Sequence, residues 1–280
     1  MEGLPGQTAA SIAEIVFGTP GSACDRLSRP PGEPLLACDT VDARYPLADI
    51  VKAMGGDLHT IEQLIREHTL YPYLRLAYSD AVAADFLARL ITGIGTARQP
   101  NLAVWAARDP QPSLRVCRVC EALAWACPGI RPVFCQHQMP FVTVCGDHEI
   151  AVTWRRPGAA PPRLQPSRPA TVAELAFARA SVVIWKAGSD PAGLREQLDH
   201  TLFRRDFARS SGAYRVRALG AALSAFCREN IHDVRLRRLA TSPLRARDLC
   251  QWIAGRRATL HPVYLVLLQM FLDGSTGDTP

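Results

Sequence analysis

Four residues in the middle of the chain have the types and spacing of a metal site. Cys117-Arg-Val-Cys120 is followed, twenty-four residues later, by Cys145-Gly-Asp-His148. Each two-residue gap lets one turn offer two ligands, and three thiols with one imidazole suit a tetrahedral zinc ion. With all four positions filled by protein the ion would be structural, holding a segment too short for a core of its own. The alternative is four ordinary cysteine and histidine positions. Cys127, Cys135 and His137 lie between the pairs without a partner knuckle. They are open to three readings: packing, ligands of a second ion, or replacements for one of the four.

The elements that must position this set are short. Arg131-Pro-Val-Phe-Cys135 and Phe141-Val-Thr-Val-Cys145 read as two strands of a hairpin, with a polar, proline-containing turn between them. Upstream, Leu47, Ile50, Val51 and Met54 repeat at helical spacing and end at Gly55-Gly56. Thr60 caps a second helix carrying Ile61, Leu64, Ile65 and His68. Ser79 or Asp80 opens a third with Val82, Phe86, Leu87, Leu90 and Ile91. His68, Tyr71 and Tyr73 read as a packed corner between helices. Residues 96–113 connect to the finger, with Trp105 docked on it. Residues 1–44 are poorly patterned apart from a short helix over Thr8–Phe17, and Cys24 and Cys38 there read as free thiols.

Downstream, Arg155–Pro169 holds five prolines and reads as a linker. Thr171-Val-Ala-Glu174 is a capping box for a helix that runs to Trp185 and ends at Gly188. Asp190-Pro191 starts the next, with Leu194, Leu198 and Leu202 inward. Val216, Leu219, Leu223, Phe226 and Cys227 mark another. Ser242-Pro243 opens a helix with Leu249, Trp252 and Ile253 inward and Gly255 after its end. Pro262 opens the last, apolar almost all round and so central to a C-terminal core. The fold class expected is mainly α. A loop-rich segment (1–44) leads to a helical domain (45–154) with an inserted zinc-ribbon-like β-hairpin (114–150). The linker (155–169) then leads to a basic helical C-terminal domain (170–280).

Charge is segregated. The chain carries +6 overall, but residues 201–260 hold thirteen Arg against four acids, a net of +9 that leaves −3 for the rest. Clustered positive charge is the footprint of a polyanion partner. Arg204, Arg205, Arg209, Arg215, Arg217, Arg235, Arg237, Arg238, Arg245 and Arg247 fall at helix ends or on polar faces, where phosphate contact is geometrically easy. The other reading is a solvated face on a protein whose thirty-two basic residues include only two lysines, Lys52 and Lys186. No GxxxxGK[ST], GxGxxG or GxSxG is present, and no set of acids can be assigned to phosphoryl transfer, so no enzyme is expected. The N-terminus has neither the basic nor the apolar part of a secretory signal, and the longest apolar run, Val263–Leu272, is about half a bilayer span. A reducing cytoplasm, where paired cysteines bind metal, is the compartment expected.

Several stretches together resemble the TniQ/TnsD family of transposon target-selection proteins. They are Leu114-Arg-Val-Cys-Arg-Val-Cys120, His137-Gln-Met-Pro-Phe141 and Val144-Cys-Gly-Asp-His148, in the family's order of CxxC, HQ-x-P and CxxH. Outside the finger, Glu67-His-Thr-Leu-Tyr-Pro-Tyr73 and Leu260-His-Pro-Val-Tyr264 are similar to the family's flanking segments. The likeness covers roughly residues 45–275; the helix with which the family usually opens has no counterpart here. It implies an adaptor that engages double-stranded DNA, or a DNA-bound complex, and recruits an AAA+ ATPase that regulates a transposase. Two other readings stay open: a stand-alone zinc-stabilised DNA-binding regulator, and an interaction module of an RNA-guided effector complex.

Overall fold

The computed structural model describes residues 6–9, 11–13, 46–56, 60–93, 114–123, 133–155, 167–240 and 244–274. Cys24, Cys38, Trp105, Cys127, Ser242-Pro243 and all but the ends of the proline-rich stretch lie outside these residues. The described chain is mainly helical, with one two-stranded antiparallel sheet. It divides into two compact units: residues 1–71 with 81–178, and residues 72–80 with 179–280.

In the first unit, α1 (Leu47–Ala53) packs on α2 (Ile61–His68). α1 ends at its glycines and α2 begins after Thr60 as their signals predict, but α2 stops at His68, short of Pro72, the stop expected from sequence, which lies in the next helix. Gly55 and Gly56 follow α1 with φ of 94° and 76°, a left-handed stop that side chains with a Cβ resist. Thr60 accepts from the Gln63 amide at 3.1 Å and so caps α2. α3 (Tyr71–Arg75) and α4 (Asp80–Thr92) follow. On α4 the inward residues are Ala83, Phe86 and Leu90, whereas Val82, expected inside, is 40 % exposed. The 83-86-90 spacing keeps one helical stripe, and Val82 lies beyond its edge, about 40° past Phe86 on the side away from Ala83. The Tyr71 hydroxyl donates to the Ala83 carbonyl at 3.2 Å, and its ring stacks on Phe86, which fixes Tyr71 against α4.

The strands are not the expected ones. β1 (Leu114–Val116) pairs with β2 (Thr153–Arg155) in the register Leu114↔Arg155, Arg115↔Trp154, Val116↔Thr153. The sheet therefore brackets the finger from outside. Between the strands lie α5 (Arg118–Leu123) and a single turn, α6 (Cys135–Gln138), where the first strand of the hairpin was expected to end. Of the second expected strand, only Val144 is in ladder contact, bridging Ala151. The hairpin that does form closes across the second knuckle: the Cys145 amide donates to Ile150 O at 2.8 Å and Val152 to Thr143 O at 3.0 Å. Phe134 meanwhile bridges Gln7, so the N-terminal segment occupies the edge that the expected partner strand would have used.

α7 (Val172–Ala187) begins in the first unit and ends in the second. Its capping box is complete: Glu174 N–H donates to Thr171 Oγ1 at 3.3 Å and Thr171 N–H to Glu174 Oε2 at 3.0 Å. Arg168 also pairs with Glu174, and this pairing, ahead of the cap hydrogen bonds, holds its carboxyl at about 2.

The second unit holds α8 (Pro191–Arg204), α9 (Val216–Asn230), α10 (Val234–Ala240), α11 (Leu244–Ile253) and α12 (Pro262–Gly274). Asp190 caps α8, accepting from Gly193 N–H at 3.0 Å, and Leu194, Leu198 and Leu202 are buried as the spacing predicts. α9 buries Leu219, Leu223 and Cys227 and packs against α10, α11 and α12. α12 is buried along almost its whole length, from Pro262 through Leu272 apart from Gln269. A helix apolar on every face needs neighbours on every side, and it finds them here. Phe271 meets Phe207 and Phe226 with ring centroids 5.7 Å away in each case. The sequence did not reveal α10. Its signal is Asp233, whose Oδ1 caps the Arg235 and Leu236 amides at 2.8 and 3.0 Å.

Gly188 terminates α7 against residues 72–80 of the same unit. A Cβ there would lie 2.1 Å from the Pro72 carbonyl oxygen, a backbone atom that cannot swing aside. Gly188→Ala is expected to destabilise the fold by about 1–3 kcal/mol, as overpacking does. Thermal melting checks this, and an unchanged midpoint would show that the two segments separate freely.

Candidate metal centre and nucleic-acid interface

Local structure delivers the four donors from two knuckles. β1 ends at Val116, so Cys117 stands at the sheet edge and Cys120 lies in the first turn of α5, where the Glu121 amide closes onto Cys117 O at 2.9 Å. Cys145 and His148 lie on the turn of the second hairpin. That turn needs a left-handed residue, and Glu149 supplies it at φ 55°, its amide bonded to Cys145 O.

The donor atoms of Cys117, Cys120, Cys145 and His148 all lie within 4.8 Å of one another. His148 Nδ1 is 3.7, 3.2 and 3.5 Å from the sulfurs of Cys117, Cys120 and Cys145, and the Cys120 and Cys145 sulfurs are 3.7 Å apart. The three cysteines are buried and His148 is half-buried. Val119, Phe134, Ile150 and Val152 pack around them. The set can hold a single metal ion.

Three thiols this close do not ionise independently. Hydrogen bonds from Cys120 and Cys145 pull the Cys117 thiol far below its ordinary range. The same sharing with Cys117 pushes Cys120 up, and pushes Cys145 up to about 11. One thiolate is favoured and its neighbours are held protonated. A divalent cation at the centre would reverse this by compensating two of the three thiolate charges.

Arg115 fixes the frame. It is buried two residues before Cys117, and its guanidinium donates to Val142 O at 2.9 Å and to Gln138 O. Gln138 reciprocates, its Oε1 accepting from the Arg115 amide at 3.2 Å and its Nε2 donating to Arg115 O. The strand entering the first knuckle is thereby tied to the chain entering the second. The guanidinium also lies 5.4 Å from the Trp154 ring centroid.

The N-terminal segment adds a further tie. Thr8 N–H donates to Val133 O at 2.6 Å, Cys135 N–H to Gly6 O at 2.8 Å and Val133 N–H to Ser11 Oγ at 3.2 Å. His68 Nδ1 lies 2.7 Å from Gln7 O, so the corner histidine anchors this segment. Cys135 is buried and stands outside the four-donor set. His137 is also outside it, but its Nε2 lies 3.9 Å from Cys120 Sγ.

The ten arginines singled out by charge fall into two groups. Arg205 donates to Leu272 O and so caps the C-terminus of α12. Arg215 pairs with Asp206 at 2.6 Å, Arg235 with Asp233 at 3.1 Å, and Arg245 with Asp248 at 3.4 Å. Arg245 also lies over the Tyr264 ring, 4.8 Å from its centroid. Arg237 is half-buried on α10. Arg204, Arg209, Arg217, Arg238 and Arg247 are exposed and make no ion pair within the described residues.

No protein-family model matches the chain, and no curated protein does. No helix among the described residues is long and apolar enough to cross a membrane.

Metal ligation requires the thiols deprotonated and the imidazole neutral, so protons compete with the ion. Cys145→Ser or His148→Ala is expected to reduce bound metal from one ion per chain to none and to lower the melting midpoint. Acidification of the wild-type protein is expected to release the same ion. Metal analysis after dialysis at stepped pH checks both, and variants that keep one ion would break the ligand assignment.

Proposed function

We propose that this protein is a zinc-stabilised adaptor that selects target sites for a transposon. In this reading the ion is Zn2+. A tetrahedron with Zn–S of about 2.3 Å and Zn–N of about 2.0–2.1 Å has S···S edges of about 3.8 Å and S···N edges of about 3.6 Å. The 3.7 Å S···S and 3.2–3.7 Å S···N separations support that assignment. The closed, all-protein donor set argues for a structural rather than a catalytic ion.

The observation that carries the functional reading is this donor set, assembled from the CxxC and CxxH pairs in the motif order of the TniQ/TnsD proteins. The adaptor performs no chemistry of its own. It engages double-stranded DNA, directly or through a targeting complex, and recruits an AAA+ ATPase, which brings the transposase. The metal-bound unit supplies a rigid frame. The second unit supplies phosphate contacts through Arg204, Arg209, Arg217, Arg238 and Arg247, the exposed arginines that make no ion pair among the described residues. Arg205, Arg215, Arg235 and Arg245, expected from sequence to reach DNA, serve the fold in this reading.

Five phosphate contacts predict that log K falls against log salt with a slope of about −4 to −5. Arg209→Glu combined with Arg217→Glu is expected to flatten that slope by about two and to weaken binding to all duplexes alike. Titration of random and candidate-site duplex DNA, on protein carrying its metal, measures this. An unchanged slope would remove these arginines from the interface. A folded, metal-loaded wild type with no DNA affinity would leave an adaptor that reaches DNA only through a partner such as an RNA-guided complex.

A further inference from the structure

We propose that His137 is a positioning residue of the metal centre, donating Nε2–H to the thiolate of Cys120; this rests on the metal reading above. Three observations converge. His137 is 1 % exposed, on the single turn α6 between the two knuckles. Its Nε2 lies 3.9 Å from Cys120 Sγ, within reach of a sulfur acceptor. Its Nδ1 is buried with no hydrogen-bond partner among the described residues.

The orphaned Nδ1 decides the tautomer. A neutral imidazole carries one N–H donor and one bare acceptor nitrogen. A proton on Nδ1 would leave a buried donor unpaired and place a lone pair against a sulfur lone pair. A proton on Nε2 gives the donor to Cys120 and leaves only an acceptor unpaired, the less costly omission. Burial of the ring favours its neutral form. Phe134 meets the ring edge-on at 5.8 Å and fixes its plane.

The consequence is chemical. A set of three thiolates and one neutral imidazole gives a divalent site one excess negative charge. An N–H aimed at one sulfur draws off part of that charge, and Cys120 is the sulfur closest to the imidazole nitrogen of His148. Outer donors of this kind orient a ligand and resist its protonation, and their loss costs about 10–100-fold in metal affinity. His137 also lies two residues beyond Cys135 in the segment held by Gln138 and Arg115, so the donor is set by the same frame that sets the knuckles.

The test compares two substitutions in the full chain. His137→Gln can place an amide N–H near the Nε2 position; His137→Phe keeps the bulk and removes the donor. Zinc affinity is read by chelator competition, and the sulfur-to-metal charge-transfer band is read with Co2+. The glutamine variant is expected to stay within about threefold of wild type, and the phenylalanine variant to lose about tenfold or more with a shifted band. Equal affinity in both variants, or better retention by phenylalanine, would reduce His137 to packing. A change in the cobalt ligand-field bands that signals a changed coordination number would make His137 a ligand instead. A wild-type chain that binds no metal would overturn the metal reading itself, an outcome separate from either.

Discussion

Three buried sulfurs and an imidazole nitrogen within 4.8 Å of one another are the constraint on which the first unit depends. Thiols at this separation compete for a single negative charge, as the opposed displacements of Cys117 and Cys120 show. Among the described residues, the apolar side chains clustered with them are Val119, Phe134, Ile150 and Val152. A core that small contributes little against the entropy of ordering residues 117–123 and 133–152 between β1 and β2. An ion held by these four donors would supply what so small a core does not, as in short segments that couple folding to metal.

The frame around the centre is polar rather than greasy. Arg115 and Gln138 exchange hydrogen bonds through both side chains and backbones, and each satisfies groups that would otherwise be buried unpaired. The segment 6–13 adds a further layer, paired to residues 133–135 and fastened by His68. Such networks specify one arrangement because partial satisfaction is costly. The second unit is built on the opposite principle. α12 is a buried apolar rod, and α9 and α11 lie against it with their own leucine faces. The basic side chains are consequently left for its surface, where some close on Asp206, Asp233 and Asp248 and others face water.

Helix ends and helix faces were legible in the residues. Thr60, Thr171 with Glu174, Asp190-Pro191, Gly188 and Gly255 act locally, through hydrogen bonds or backbone angles within one turn, so tertiary context had little to override. The stripe 194-198-202 and the all-round apolarity of α12 declared their burial in the same way. The knuckle spacing also named the four donors. Where local signals conflicted, reading by period alone misled: Val142-Thr-Val144 has strand composition, yet only Val144 enters a ladder, and Cys135–Gln138 coils instead.

The sequence by itself determined which residues could ligate, where most helices begin and end, and that positive charge gathers in the last third. Tertiary structure decided the rest, because each remaining feature depends on a partner far away in the chain. Arg115 meets Gln138 and Val142, Gln7 meets His68 and Phe134, and Arg205 reaches Leu272. Periodicity and spacing carry no record of such pairs. Whether an arginine faces water or caps a helix is set by which carbonyl or carboxylate the fold brings within about 3 Å, and only the folded chain holds that distance.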